Sequence, residues 1–118
     1  MNVRELDFIT IPVSDLETSR RFYHEVLDLP MTDLPDGRDV AKLQKEYLIL
    51  DSNEKVEQPI SFGVIANDSV VDVNSHLINY DVEVISGPKE ENLFGHKVTS
   101  FVVLDPDKNK VTISIMEK

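Results

Sequence analysis

The sequence predicts an α+β domain in which one βαβββ unit occurs twice. Three observations carry this. Alternating apolar segments near residues 8 and 60 each precede a helix-start signal and a run of helical periodicity. Each helix is followed by three segments of strand character. A polar, aperiodic stretch, Ser52 to Gln58, separates the halves and is the best linker candidate. A repeated supersecondary unit is more informative than any single element. The expectation is one domain over 1–118, with modules at about 4–52 and 59–117. The two modules would form a curved mixed sheet around a cleft, with the helices outside.

In the first half, Ile9, Ile11 and Val13 alternate with Phe8, Thr10 and Pro12, the mark of a strand with two unlike faces. Pro12 cannot donate to a ladder and belongs at a strand end or edge. Ser14 followed by Glu17 reads as a capping box, and Leu16, Phe22, Tyr23, Val26 and Leu27 share a helical face. The helix is expected over about Asp15 to Asp28, before Pro30. Leu29 to Asp36 reads as a strand ending in the Pro35-Asp36-Gly37 turn. Val40 to Gln44 and Tyr47 to Asp51 are two further strands.

The second half repeats the order. Ile60, Phe62 and Val64 alternate with Pro59, Ser61 and Gly63, and Asn67-Asp68-Ser69 offers N-cap chemistry. Val70, Val71, Val73, Leu77 and Ile78 follow at roughly helical spacing. Asp81 to Ser86 reads as a strand stopped by Gly87-Pro88, and Lys89 to Gly95 as a charged loop. Val98 to Leu104 and Val111 to Met116 are strands joined by the turn Asp105-Pro106-Asp107-Lys108-Asn109.

Composition narrows the function. Twelve basic against 22 acidic residues leave a formal charge of −10, which repels phosphate backbones, so nucleic acid is not an expected partner. Cysteine is absent, excluding disulfides, thiolate metal sites and a cysteine nucleophile. No stretch approaches the ~20 apolar residues of a membrane span. MNVRELDF lacks the pattern of a signal peptide, so a cytoplasmic protein without membrane partners is expected. No phosphate loop, nucleotide fingerprint or Ser-His-Asp arrangement is present.

The stretches LDFITIPVSDLETSRRFYHEVLDLP and GPKEENLFGHKVTSFVVLDPDKNKVTISIME resemble the opening and closing modules of the vicinal oxygen chelate superfamily. That superfamily includes glyoxalase I, extradiol dioxygenases and bleomycin resistance proteins. The best markers are Asp15, Leu16, Ser19, Phe22 and Tyr23 at the helix entry, and Asp105, Pro106, Asp107 and Asn109 at the turn. Lys108 stands where such families usually carry Gly, a residue suited to positive φ. The resemblance implies that enzymes of this kind hold one divalent metal through His, Gln or Glu on the first and last strands of each module. Carried over, those places fall at Phe8, Leu48, Pro59 and Thr112, none of which is a carboxylate or imidazole. Glu46 or Asp51 would supply one acidic ligand if the register slips.

The expectation is therefore no metal and no cofactor. The function read from the residues is metal-free binding of an unknown small molecule, as in antibiotic or metabolite sequestration. The alternative is a metal-dependent or His96-assisted lyase or dioxygenase-type enzyme, with His96 the one catalytic candidate. Alternation makes Phe8, Thr10, Leu48, Leu50, Pro59, Ser61, Thr112 and Ser114 the candidate ligand-binding residues. The opposite, uniformly apolar set, Ile9, Ile11, Val13, Phe62, Val64, Val111, Ile113 and Ile115 among them, should meet the helices. His24 and His76 fall on helices away from the expected cleft. The resemblance also implies a homodimer, which would cover exposed strand edges.

Overall fold

The structure, a computed structural model, describes residues 1–52 and 58–116. Most of the expected linker lies outside the described residues. The chain divides into two compact units, Met1–Gln58 and Pro59–Lys118.

In the first unit, β1 (Phe8–Pro12) leads to α1 (Leu16–Arg21), which runs on into a π-helical turn at Phe22–Val26. β2 (Met31–Asp33), β3 (Asp39–Lys42) and β4 (Tyr47–Asp51) complete a sheet of order β1-β4-β3-β2. β1 and β4 are parallel; the other pairs are antiparallel. Pro12 closes β1 at the strand end, and Val13 N–H then donates to Asp51 O at 3.0 Å. The helix is capped by Asp15 rather than the expected Ser14: Asp15 is extended, and its carboxylate accepts from the Thr18 N–H at 3.4 Å. The π turn is closed by Leu27 N–H donating to Phe22 O. It buries Tyr23, whose ring meets that of Phe22 edge-on at 5.1 Å between centroids.

The second unit has β5 (Ser61–Ala66), α2 (Val70–Asn79), β6 (Val84–Leu93), β7 (His96–Leu104) and β8 (Lys110–Met116). Its order is β5-β8-β7-β6, with β5 parallel to β8. Ser69 caps α2 by accepting from Asp72 N–H at 3.1 Å, as the sequence predicts. Two differences from the sequence expectation concern β6. The strand is not stopped by Gly87-Pro88; it runs on to Leu93 through register shifts between Val84 and Lys89. Gly87 makes this passage possible. Its φ is +105°, and a Cβ there would overlap the Ser100 carbonyl oxygen and lie 2.8 Å from Phe101 Cα. The expected loop of Lys89 to Gly95 is thus mostly strand. It closes in a two-residue hairpin, Phe94-Gly95, with both residues at positive φ, which matches strand twist.

The turn between β7 and β8 is tied by a buried knot. Asp105 is 3% exposed and Asn109 fully buried. The Asp105 carboxylate accepts from the N–H groups of Asp107 (2.9 Å) and Asn109 (2.8 Å) and from Asn109 Nδ2 (2.8 Å). Asn109 Oδ1 accepts from Ile60 N–H at 2.8 Å, which anchors the start of β5 to the end of the turn. Lys108 adopts φ +68°, the left-handed conformation for which Gly is usual, and its Nζ reaches Glu83 at 3.0 Å.

Residues paired across a ladder share a face. Ile9 and Ile11 pair with Leu48 and Leu50, and α1 packs over β3 and β4 on this side, where Arg20 approaches Asp39 at 3.8 Å. The matching face of the second unit carries Phe62, Val64, Phe101, Val103, Val111, Ile113 and Ile115. The uniformly apolar faces are therefore the cores, as alternation predicts.

Two predictions follow from this architecture. Asn109→Ala removes the side chain that joins the turn to the start of β5 and strands the Ile60 N–H. It should cost about 2–4 kcal/mol by urea unfolding, a large effect for a chain of this size. Asp39 has a carboxyl raised above the ordinary range, first by desolvation and then, against the pull of Arg20, by Asp33 across the strand pair. A raised carboxylate penalises the native state above its folded pKa, and the penalty vanishes as pH falls below the unfolded value. Asp39→Asn should therefore stabilise the protein at pH 7 by some tenths of a kcal/mol, up to about 1, and the gain should fade toward pH 3 in urea titrations.

Candidate functional site

Each unit has one open face, set by the register of its parallel strand pair. Tyr47 N–H donates to Asp7 O at 3.1 Å, and Lys110 N–H to Ile60 O at 2.9 Å, so these positions correspond. Phe8 pairs with Tyr47 and Thr10 with Ile49 on the open face of the first unit. Ser61 pairs with Lys110 and Gly63 with Thr112 on that of the second.

This register places three of the expected site residues, Leu48, Leu50 and Pro59, off the open face. Leu48 and Leu50 are buried on the helix side with Ile9 and Ile11, so they do not share a face with Phe8 and Thr10. The open-face residues of β4 are Tyr47, Ile49 and Asp51. The counterpart of Phe8 is Ser61; Pro59 precedes β5 and forms no part of the ladder. Thr112 and Ser114 lie on the open face as expected, beside Gly63 and Ile65.

The open face of the first unit forms a concavity of about 350 Å³, lined by Asp7, Phe8, Thr32, Leu34, Arg38, Val40, Tyr47 and Ile49. Val40 and Ile49 are buried and pair across β3 and β4, forming its floor. Phe8 is 48% exposed and Tyr47 37%. Arg38 sits at the base of the β2–β3 hairpin. Its backbone N–H and its Nε donate to the two carboxylate oxygens of Asp36, at 3.1 and 2.9 Å. These contacts, the backbone N–H first and the guanidinium charge with it, hold the Asp36 carboxyl below its ordinary range.

On the open face of the second unit, small and hydroxylic residues sit among Lys110, Ile65 and Val102. Ser61, Gly63, Thr112, Ser114 and Ser100 share it, with Ser100 paired to Ser114. Ser100 Oγ donates to Glu91 Oε1 at 3.1 Å. His96 was expected in a loop, but it is the first residue of β7, exposed and paired with Leu93. It lies six residues from Val102, the partner of Thr112, which is about 20 Å along the strand. Within its unit it stands apart from Thr112 and from Ser114. Tyr47, Ile49, Val40 and Arg38 went unselected in the sequence; the strand-adjacent turn residue Asp36 was the available signal for Arg38.

A duplicated βαβββ unit with first and last strands parallel is the architecture of the vicinal oxygen chelate class. The family model of the Glyoxalase/Bleomycin resistance protein/Dioxygenase superfamily matches residues 5–113, and the chain belongs to that superfamily. It is 24% identical to virulence protein STM3117 of Salmonella typhimurium, over 97% of this chain and 85% of that protein. The crystal structure of that protein matches with a TM-score of 0.85, covering 99% of this chain and all of the other. It is 26% identical to the glyoxalase domain-containing protein RDO1 of Mycosarcoma maydis, over 97% of this chain and 69% of that protein. TnmS3, an antibiotic binding protein from Streptomyces sp. CB03234, has the same fold, with a TM-score of 0.81, 21% identity and 99% coverage of both chains.

Enzymes of this class bind a divalent metal on the open faces of these strands. Here the paired positions are Phe8–Tyr47, Thr10–Ile49, Pro12–Asp51, Ser61–Lys110, Gly63–Thr112 and Ile65–Ser114. Asp51 is the one carboxylate among them, none is an imidazole, and Lys110 would repel a cation. Among the described residues, no three His, Asp or Glu stand together as a metal could use. This donor set does not fit a divalent ion.

The two faces can be separated by mutation. Leu48→Ala should cost about 2–5 kcal/mol in urea unfolding, as a core cavity does. Phe8→Ala, on the half-open face, should cost under about 1 kcal/mol.

Proposed function

We propose that this protein binds a small organic molecule on the open face of its first module without a metal, and acts by sequestering an antibiotic or metabolite. The observation that carries this is the donor set: the paired open-face positions hold aromatic, aliphatic, hydroxyl and ammonium groups and the single carboxylate of Asp51, where a metal enzyme needs several carboxylates or imidazoles. A concavity of about 350 Å³ with an apolar floor and a few polar groups is ordinary for a small ligand. That TnmS3 is an antibiotic binding protein supports sequestration as a use of this fold. The charge of −10 argues against nucleic acid as the partner. A homodimer, covering free strand edges, is part of the same reading.

Elemental analysis and thermal-shift screening test it together. Protein purified without chelators should carry well under one divalent ion per chain. An antibiotic or metabolite from the screen should raise Tm equally with and without EDTA. At a hundredfold excess over Kd the stabilisation is about 2.7 kcal/mol, a shift of several degrees. A stoichiometric ion, or a shift abolished by EDTA, would overturn the reading.

A further inference from the structure

The first module's open face also states what kind of molecule it suits, on the basis of the binding role proposed above. Phe8 and Tyr47 are ladder partners on adjacent parallel strands, about 4.8 Å apart at the backbone. Both rings line the concavity and both are substantially exposed. Neighbouring aromatic rings in a protein ordinarily pack on each other. Here the ring contacts among the described residues are Phe22 with Tyr23 and His76 with Tyr80; Phe8 and Tyr47 make none. Each therefore offers its π-surface to whatever occupies the trough. The floor beneath, Val40 and Ile49, is flat sheet and wholly aliphatic.

The polar end of the trough is equally specific. Arg38 has the same strand parity as Val40 and joins the lining from the β2–β3 hairpin. Asp36 takes its Nε; the terminal guanidinium nitrogens have no partner among the described residues. Asp36 is exposed, so water screens its charge, while it holds the guanidinium plane in one orientation. A planar, oriented fork with two unspent nitrogens is the arrangement that grips a carboxylate, sulfonate or phenolate. Asp7 enters the lining at the other end, beside Tyr47. From Tyr47 to Asp51 the strand spans about 13 Å.

We propose that the ligand class is a planar aromatic anion, its rings against Phe8 and Tyr47 over the Val40–Ile49 floor and its acidic group at Arg38. A saturated ring packs on the aromatic faces without planar stacking and gains less there, and an ammonium group at the same place meets the guanidinium.

Calorimetric titration with three matched probes tests this: naphthalene-2-sulfonate, naphthalen-2-ylmethylammonium and cyclohexanesulfonate. Naphthalene-2-sulfonate should bind at least tenfold more tightly than either of the others. Arg38→Gln should bring the sulfonate and ammonium probes to within threefold of each other, and Arg38→Lys should restore part of the preference. Tyr47→Leu, at an exposed position, should weaken naphthalene-2-sulfonate about tenfold and leave cyclohexanesulfonate unchanged. Equal or tighter binding of the ammonium probe or of cyclohexanesulfonate would overturn the ligand class. So would absence of binding by naphthalene-2-sulfonate, or an unchanged preference in Arg38→Gln. None of these results touches the metal-free binding role, which fails instead on a stoichiometric ion or an EDTA-sensitive ligand shift.

Discussion

The parallel pairing of the first and last strand in each module is the constraint on which the rest depends. It brings residues 8–12 beside 47–51 and residues 61–66 beside 110–115, with everything between them in the chain folded around that seam. A parallel pair cannot be joined by a hairpin, so the intervening chain must cross a sheet face. In the first module α1 makes that crossing on the Leu48–Leu50 side and leaves the Phe8–Tyr47 side open. In the second module the seam is reinforced by the Asp105–Asn109 knot, which delivers Asn109 Oδ1 to the Ile60 N–H. A buried carboxylate is tolerable there because backbone and amide donors surround it. The first module achieves the same start with the backbone bond from Tyr47 to Asp7 alone.

One backbone plan thus yields two chemically different open faces. The first places aromatic rings over an aliphatic floor; the second places serine and threonine hydroxyls around a glycine. Strand order and pairing sense are the same in both sheets, so along the parallel seams the difference resides in side chains. Where an enzyme of this class needs both modules to present matching metal ligands, a binding protein is free of that symmetry. Under the proposed metal-free role, Phe8 can differ from Ser61, and Tyr47 from Lys110, without loss of a shared ligand set.

How much of this could be read from the sequence depended on local chemistry. The repeat, both helices and the turn before Asn109 were legible because capping, periodicity and turn residues agree there. The face of β4 was not. Tyr47-Leu48-Ile49-Leu50-Asp51 is apolar at three successive positions, so alternation carries no parity, and Leu48, Ile49 and Leu50 are in fact all buried. Only the ladder with β1 decides which of them face the trough. β6 was illegible for a different reason. Gly87-Pro88 is ordinarily a strand stop, and the strand passes it by register shifts and a backbone conformation open only to glycine. The Phe94-Gly95 hairpin was equally hidden, because Phe is an unusual occupant of a positive-φ turn position, and with it went the true place of His96.

The acidic charge of the chain and an anionic ligand are compatible, but they act at different ranges. At physiological salt the Debye length is about 8 Å, so most of the −10 is invisible from within the trough, where a guanidinium is in contact. Beyond that distance the net field repels an anion and slows its approach. Affinity must then come from slow release, through aromatic contact and a two-nitrogen grip, rather than from electrostatic capture. That division suits the proposed sequestering role, which long occupancy would serve. It also explains why a single cation suffices: Arg38 is pre-oriented by Asp36, so little side-chain freedom is lost when the ligand arrives.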